Sequence, residues 1–306
     1  MGAPVTDPDR STEPEDTAVT DAAASTLSGS ELVLQYSSSD DPIIGGESIA
    51  AEPGAVTALV GPNGSGKSTL LKGLANQLAP EGGSVLLGGD DVQSMGTKAL
   101  ARKLGLLSQE STSPSSITVE DLVYHGRYPY RGFFESISDA DREAVERAIS
   151  LAGCGHLRGR EVGSLSGGQK QLAWIAMVLA QETDVLLLDE PTTFLDLHHQ
   201  LTVIEIIKRL REESDITVVV VLHDIEQAAR LADHMIVLED GEIRARGAPS
   251  EVVTESLLEA VFRIDADVEL TERGPRIDPL RARNDGNEPD RDDAESRRHD
   301  GTEATE

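Results

Sequence analysis

The sequence predicts an α/β fold, a mixed sheet with flanking helices broken by a wholly helical insertion, on three observations. A glycine-rich loop, Gly61-Pro62-Asn63-Gly64-Ser65-Gly66-Lys67-Ser68-Thr69, joins the apolar run Ala55–Val60 to a segment with helical spacing at Leu70, Leu71, Leu74 and Leu78. Three more short apolar runs end in polar residues: Leu104–Ser108 in Gln109, Val185–Leu188 in Asp189-Glu190, and Ile216–Leu222 in His223. Between residues 118 and 165 strand signals vanish, and Ser138-Asp139-Ala140-Asp141 reads as a capping box ahead of Ala144, Val145, Ala148, Ile149 and Ala152.

In chain order, residues 1–30 are rich in Asp, Glu, Ser, Thr, Ala and Pro, the composition of a disordered acidic tail. The folded body is expected over residues 31–283, and a second acidic tail over 284–306. Glu31–Tyr36 and Ile43–Ala50 read as short strands. After the glycine loop and its helix come the strand Ser84–Leu87, a Gly88-Gly89 turn, a short helix near Thr97–Lys103 and the strand Leu104–Ser108. The helical insertion follows, over about residues 112–166. Ser166 then reads as the N-cap of a helix with Leu172, Ile175, Ala176 and Leu179 on one face. The strand Val185–Leu188, a helix from Asp196 to Arg211, the strand Ile216–Leu222, the helix Ile225–Leu231 and a hairpin Met235–Arg246 turning at Asp240-Gly241 complete the body.

The net charge is −28, of which residues 1–31 carry −6, residues 284–306 another −6 and residues 32–283 −16. So negative a body disfavours nucleic acid as a partner. In about 1 M salt the Debye length shrinks to about 3 Å, and such a surface no longer repels itself strongly. We therefore expect a protein suited to a very salty, halophilic cytoplasm. Cys154 is the single cysteine, so a disulfide framework is excluded and the residue is expected to be a small buried apolar group. No apolar run approaches membrane-spanning length, and the N-terminus lacks a basic stretch followed by an apolar one, so a soluble protein is expected.

The glycine loop has the residue types a phosphate needs. Glycines let the backbone wrap an anion closely, and successive N–H groups with a helix N-terminus face it. Lys67 would reach the β and γ phosphates of ATP, and Ser68 would offer its hydroxyl to Mg²⁺. Asp189 is a second hard oxygen ligand for the metal, and Glu190 is positioned to orient or deprotonate water. Gln109 could bind the metal's water or the attacking water, and His223 could hold the γ-phosphate. In open α/β sheets ligands bind beyond the carboxyl ends of strands, so these elements are expected to converge. His198-His199 is expected to be a solvated helix face rather than a metal site, because adjacent helical residues point apart.

Together these motifs resemble the ATP-binding-cassette (ABC) ATPases. Leu165-Ser166-Gly167-Gly168-Gln169 matches the family's signature sequence, Val185–Glu190 its Walker B strand, Thr193-Phe194-Leu195-Asp196 its D-loop, Gln109 its Q-loop and His223 its switch histidine. Tyr36 lies 25 residues ahead of Gly61, where the family keeps an aromatic stacked on adenine. The resemblance covers about residues 31–265. It implies the P-loop NTPase core with an antiparallel β subdomain and an inserted helical subdomain. It also implies ATP and Mg²⁺ as ligands, and catalysis by Glu190, His223 and Gln109. In a head-to-tail homodimer, Ser166, Gly167, Gly168 and Gln169 would contact ATP held by the other subunit.

Ala101–Leu107, Gly126-Arg127-Tyr128-Pro129, Trp174–Gln181 and Pro191–Asp196 are similar to importers of ferric siderophores, haem and cobalamin, although Leu172 stands where relatives commonly have Arg. That resemblance implies transmembrane permease subunits, an extracellular substrate-binding protein and a peripheral place on the cytoplasmic face of the membrane. Ferric siderophore ranks first as cargo, with cobalamin and then haem as alternatives. Tyr124, Tyr128, Tyr130, Phe133 and Phe134 are expected to form the permease-docking surface. Two rival readings are a soluble ABC ATPase of DNA repair or translation and a non-hydrolytic ATP-binding module. The chain lacks the long coiled-coil insertion or second cassette of the former, and it retains Glu190 and His223 against the latter.

Overall fold

The computed structural model describes residues 26–109, 115–132 and 135–283. Its centre is a six-stranded sheet built from β3 (Val56–Val60), β6 (Leu104–Leu107), β7 (Val185–Asp189), β8 (Thr217–Val221), β9 (His234–Glu239) and β10 (Glu242–Gly247). The order is β10-β9-β3-β8-β7-β6, with β10 antiparallel at one edge and every other neighbouring pair parallel. The central strands β3, β7 and β8 are fully buried and almost wholly apolar because both faces are covered, whereas the edge strand β10 alternates exposed and half-buried residues. Val56, Ala58, Leu186, Leu188, Val218 and Val220 enter one core cluster, while Leu59, Val185, Leu187, Val219 and Val221 enter the other.

The second cluster is closed by α1 (Lys67–Leu74), which buries Leu70, Leu71 and Leu74 against an antiparallel sheet ordered β2-β1-β4-β5. Those strands are β1 (Leu27–Leu34), β2 (Ile44–Ala51), β4 (Gly82–Leu87) and β5 (Asp90–Asp91). β1 starts at Leu27, so the expected tail over 1–30 is corrected: residues 26–30 belong to the fold, held by pairing with both β2 and β4. Residues 1–25 and 284–306 lie outside the described residues. At the β9–β10 turn, Asp240 and Gly241 both take positive φ, 50° and 79°, matching the right-handed twist of the two strands.

The short α2 (Thr97–Lys103) precedes β6, and the insertion that follows β6 contains α3 (Val119–His125) and α4 (Asp139–Leu151). Both insertion helices open on capping boxes, Thr118 with Asp121 and Ser138 with Asp141. They pack on α5 (Gly167–Leu179), the helix that follows the signature sequence. The junction is fixed by Arg127, almost fully buried. Its Nε donates to Asp141 Oδ1 at 3.0 Å, and Nη1 to Ala180 O at 2.8 Å and Glu182 Oε2 at 2.9 Å. Gly126 beside it lies so close to α5 that a Cβ would stand 2.1 Å from Met177 O.

After β10 come α8 (Pro249–Val252), α9 (Glu255–Phe262) and a hairpin of β11 (Ile264–Thr271) with β12 (Gly274–Ala282), which the sequence reading did not contain. The helices that follow β7 and β8 are α6 (Leu197–Glu213) and α7 (Ile225–Leu231). Among the described residues no helix is long and apolar enough to cross a membrane. Cys154 is fully buried, and burial pushes its thiol up to about 11, as expected of an inert core residue.

Candidate active site

The glycine loop turns directly from β3 into α1. Gly61 passes so near the β9–β10 end that a Cβ would meet Leu238 O at 2.0 Å. Gly66, with φ 97°, caps α1 without any side-chain hydrogen bond, so the first-turn N–H groups stay open to an anion. Lys67 Nζ donates to Gly61 O at 3.0 Å and Pro62 O at 2.8 Å, which hold the ammonium under the loop. Burial lowers its pKa, and the charges of Glu190 and Asp189 pull in the opposite sense.

The next residue, Ser68, donates from Oγ to Asp189 Oδ1 at 2.7 Å, joining the start of α1 to the end of β7. Burial raises the Asp189 carboxyl; the Ser68 hydrogen bond and the lysines 72 and 67 oppose this, while Glu190 adds to it. A buried carboxylate beside a hydroxyl is a donor set of hard oxygens that gains from a divalent cation, so these residues fit Mg²⁺.

Glu190 follows in a left-handed backbone conformation, φ 52°, unusual for a residue with a Cβ and concentrated at functional sites. Three donors converge on one of its oxygens. Gln109 Nε2 lies 2.6 Å from Oε2, His223 Nε2 2.6 Å and Thr193 Oγ1 3.2 Å. The glutamate is thereby fixed in one rotamer at the mouth of the loop. Asn63, Gly64, Gly66, Lys67, Ser68, Thr69, Gln109, Glu190 and His223 line a single open cleft of about 500 Å³, together with Ile43 from the segment before β2. The convergence expected from strand ends is what the fold produces. Ile43 and Thr193 were not singled out for this cleft by the sequence.

Other predicted residues stand elsewhere. Tyr36 lies beyond the end of β1 rather than within it, half-buried, with Lys72 Nζ 5.9 Å from its ring centroid, and it does not line the cleft. Ser166 caps α5 in a capping box with Gln169, and Ser166–Gln169 also lie outside the cleft. Asp196 caps α6, accepting from His199 N at 2.9 Å. His198 is exposed, as expected of a solvated face, but His199 is not. Its ring covers Gly168 and bonds Asp196. Of the aromatics expected at a docking surface, only Tyr128 is exposed among those described. Tyr124 packs on the core, and Tyr130 donates to Gln181 O at 2.8 Å with Arg127 4.0 Å from its ring. Phe133 and Phe134 lie outside the described residues.

Residues 46–193 match the ABC transporter family. The ferric enterobactin transport ATP-binding protein FepC of Escherichia coli is 45% identical over 236 residues, 77% of this chain and 86% of that protein. The cobalamin import ATP-binding protein BtuD of Halobacterium salinarum is 39% identical over 68% of this chain and 52% of its own length. A metal-chelate type ABC transporter in an inward-facing conformation superposes with a TM-score of 0.72 at 27% identity, covering 84% of this chain and 98% of that one. The dimeric structure of MJ0796, an ABC transporter cassette, gives 0.65 at 26% identity, covering 72% and 98%.

Proposed function

The chain belongs to the ABC transporter family and is an ATPase, and we propose that it energises import of a ferric siderophore through a membrane permease. The observation that carries this reading is the 45% identity to a ferric enterobactin transport ATP-binding protein across 86% of that protein's length. A cobalamin cargo is the second reading, favoured by the 39% identity to BtuD over the shared region.

Lys67 and the loop amides bind the β and γ phosphates of ATP. Ser68 and Asp189 hold Mg²⁺, with Gln109 contributing through its amide; the ion, when bound, neutralises phosphate charge. The Glu190 carboxylate, held through Oε2 by its three donors, takes a proton from the attacking water as the water oxygen bonds to the γ-phosphorus and the bond to the ADP oxygen breaks. His223 and Gln109 orient that carboxylate and contact the γ-phosphate and the water. Tyr36 stacks on adenine. Two copies pair head to tail, so that Ser166–Gln169 and Asp196 of one complete the site of the other, and the dimer opens after hydrolysis. A dimeric relative at TM-score 0.65 supports this arrangement.

The assembly sits on the cytoplasmic face of the membrane with permease subunits and an external substrate-binding protein in the same system. Exposed Tyr128 belongs to the permease contact. The charge of −28 suits a halophilic cytoplasm.

A strain lacking this gene is expected to lose growth on a ferric siderophore as the single iron source and to keep growth on cobalamin-dependent medium. The reverse pattern assigns cobalamin, and growth on both refutes the siderophore and cobalamin readings alike.

A further inference from the structure

We propose that His199 is a positioning residue that locks the D-loop carboxylate Asp196 to the start of the signature helix. The two elements are then presented to a second copy of the chain as one rigid unit; this rests on the two-copy reading above. His199 occupies the third position of α6, whose cap is Asp196. The backbone N–H of His199 donates to Asp196 Oδ1 at 2.9 Å, and the ring returns to the same carboxylate, Nδ1 standing 2.9 Å from both Oδ1 and Oδ2. These bonds hold Asp196 below the usual carboxylate range although it is exposed.

The ring also lies against Gly168. A Cβ there would stand 2.4 Å from Cδ2 and Cγ of His199 and 2.7 Å from Nδ1. A glycine at 168 is therefore what admits an imidazole at 199, and the imidazole in turn fixes how far α5 begins from the cap of α6. His198, its neighbour, is exposed and touches it only edge to face, with ring centroids 5.3 Å apart at 74°. The pair is asymmetric: one histidine is solvated, and the other is wedged between two motifs.

The wedge also connects backwards to the base. Thr193 N donates to Glu190 O at 3.2 Å and Thr193 Oγ1 to Glu190 Oε2 at 3.2 Å. The backbone from Thr193 to Asp196 therefore joins the Glu190 contacts to the Asp196–His199 pair and, through the ring, to Gly168. Glu190 serves the ATP of its own subunit, whereas Gly168 serves that of the other. His199 is the link through which one half-site senses whether the other is filled. Asparagine at 199 keeps a donor for Asp196 but not the wedge; phenylalanine keeps the wedge but not the donor.

The test uses the full chain with His199→Ala, His199→Asn and His199→Phe, each also combined with Glu190→Gln. ATP-dependent dimerisation is read by sedimentation, and ATP hydrolysis by its half-saturation, kcat and Hill coefficient. Losing a hydrogen bond to a charged group should weaken ATP-driven dimerisation and raise half-saturation by about tenfold. The Hill coefficient should fall from about 2 toward about 1, as expected when two sites uncouple. ATP binding to the monomer and the melting temperature should stay unchanged, and the Asn and Phe variants should each recover part of the loss.

The proposal is overturned if His199→Ala/Glu190→Gln dimerises as tightly as Glu190→Gln. It is equally overturned if all three variants lose activity only in step with melting temperature, with the Hill coefficient intact. If Glu190→Gln itself stays monomeric with ATP, the two-copy reading fails first and takes this proposal with it.

Discussion

Glu190→Gln removes a negative charge and the group able to take a proton, while side-chain size barely changes. Three donors converge on Oε2, Gln109 Nε2 at 2.6 Å, His223 Nε2 at 2.6 Å and Thr193 Oγ1 at 3.2 Å. An amide oxygen can take that place and still accept from them, so the cleft keeps its shape. What disappears is proton transfer, worth about 10²–10⁴-fold for a positioned general base. At about 1.36 kcal/mol per decade this is a barrier increase of roughly 2.7–5.4 kcal/mol. The assay is single-turnover phosphate release under saturating Mg-ATP, with ATP affinity measured separately by equilibrium binding. A fall in kcat within that range at unchanged affinity is the expected result. A kcat within about tenfold of wild type would leave too little for a base to explain. An equal loss of kcat and affinity would make Glu190 a binding group instead.

Arg127→Ala strands the buried Asp141 and should cost about 3–5 kcal/mol in urea unfolding, whereas a loss below about 1 kcal/mol would reduce the cluster to a surface-type pair. Burial alone would raise the Asp141 carboxyl, but hydrogen bonds from Ser138 and Arg127 outweigh it and hold the pKa below its usual value. That stabilisation is present above the ordinary Asp range and lost as pH falls through the lower folded value, so the stability gap between wild type and Arg127→Ala should narrow on acidification through that window, and a gap that widens would contradict the reasoning. Asp189 behaves oppositely: its folded pKa is raised, chiefly by burial, so ionisation at neutral pH penalises the fold. Asp189→Asn should melt no lower than wild type at pH 7 while hydrolysing no ATP, and a lower melting point would contradict this. With −28 charges the melting temperature should rise with KCl up to molar concentration; a fall would refute adaptation to salt.

The candidate cleft was legible because its parts are tied to strand ends. An apolar run followed by Gln109, Asp189-Glu190 or His223 places a polar group at the same sheet edge whatever the intervening chain does. The start of β1 was not legible. Ser28, Gly29 and Ser30 have weak strand propensity, and Leu27 is buried only because β2 and β4 flank it. The β11–β12 hairpin was obscured by Pro275 and Pro279, which argue against a strand, yet a two-stranded ribbon has free edges where proline is tolerated. The convergence on one oxygen of Glu190 depends on rotamers, which spacing does not encode. His199 was hidden for a related reason: helical periodicity predicts which way a side chain leaves its helix, but not that a glycine on α5 waits there to receive it.

The central claim is that ATP is hydrolysed between two copies of this chain, neither of which holds a complete site. Hydrolysis per subunit, measured against protein concentration at saturating Mg-ATP, tests it most directly. The account predicts a per-subunit rate that climbs with concentration and levels off once sedimentation shows dimer. A constant rate down to concentrations where only monomer sediments would contradict it.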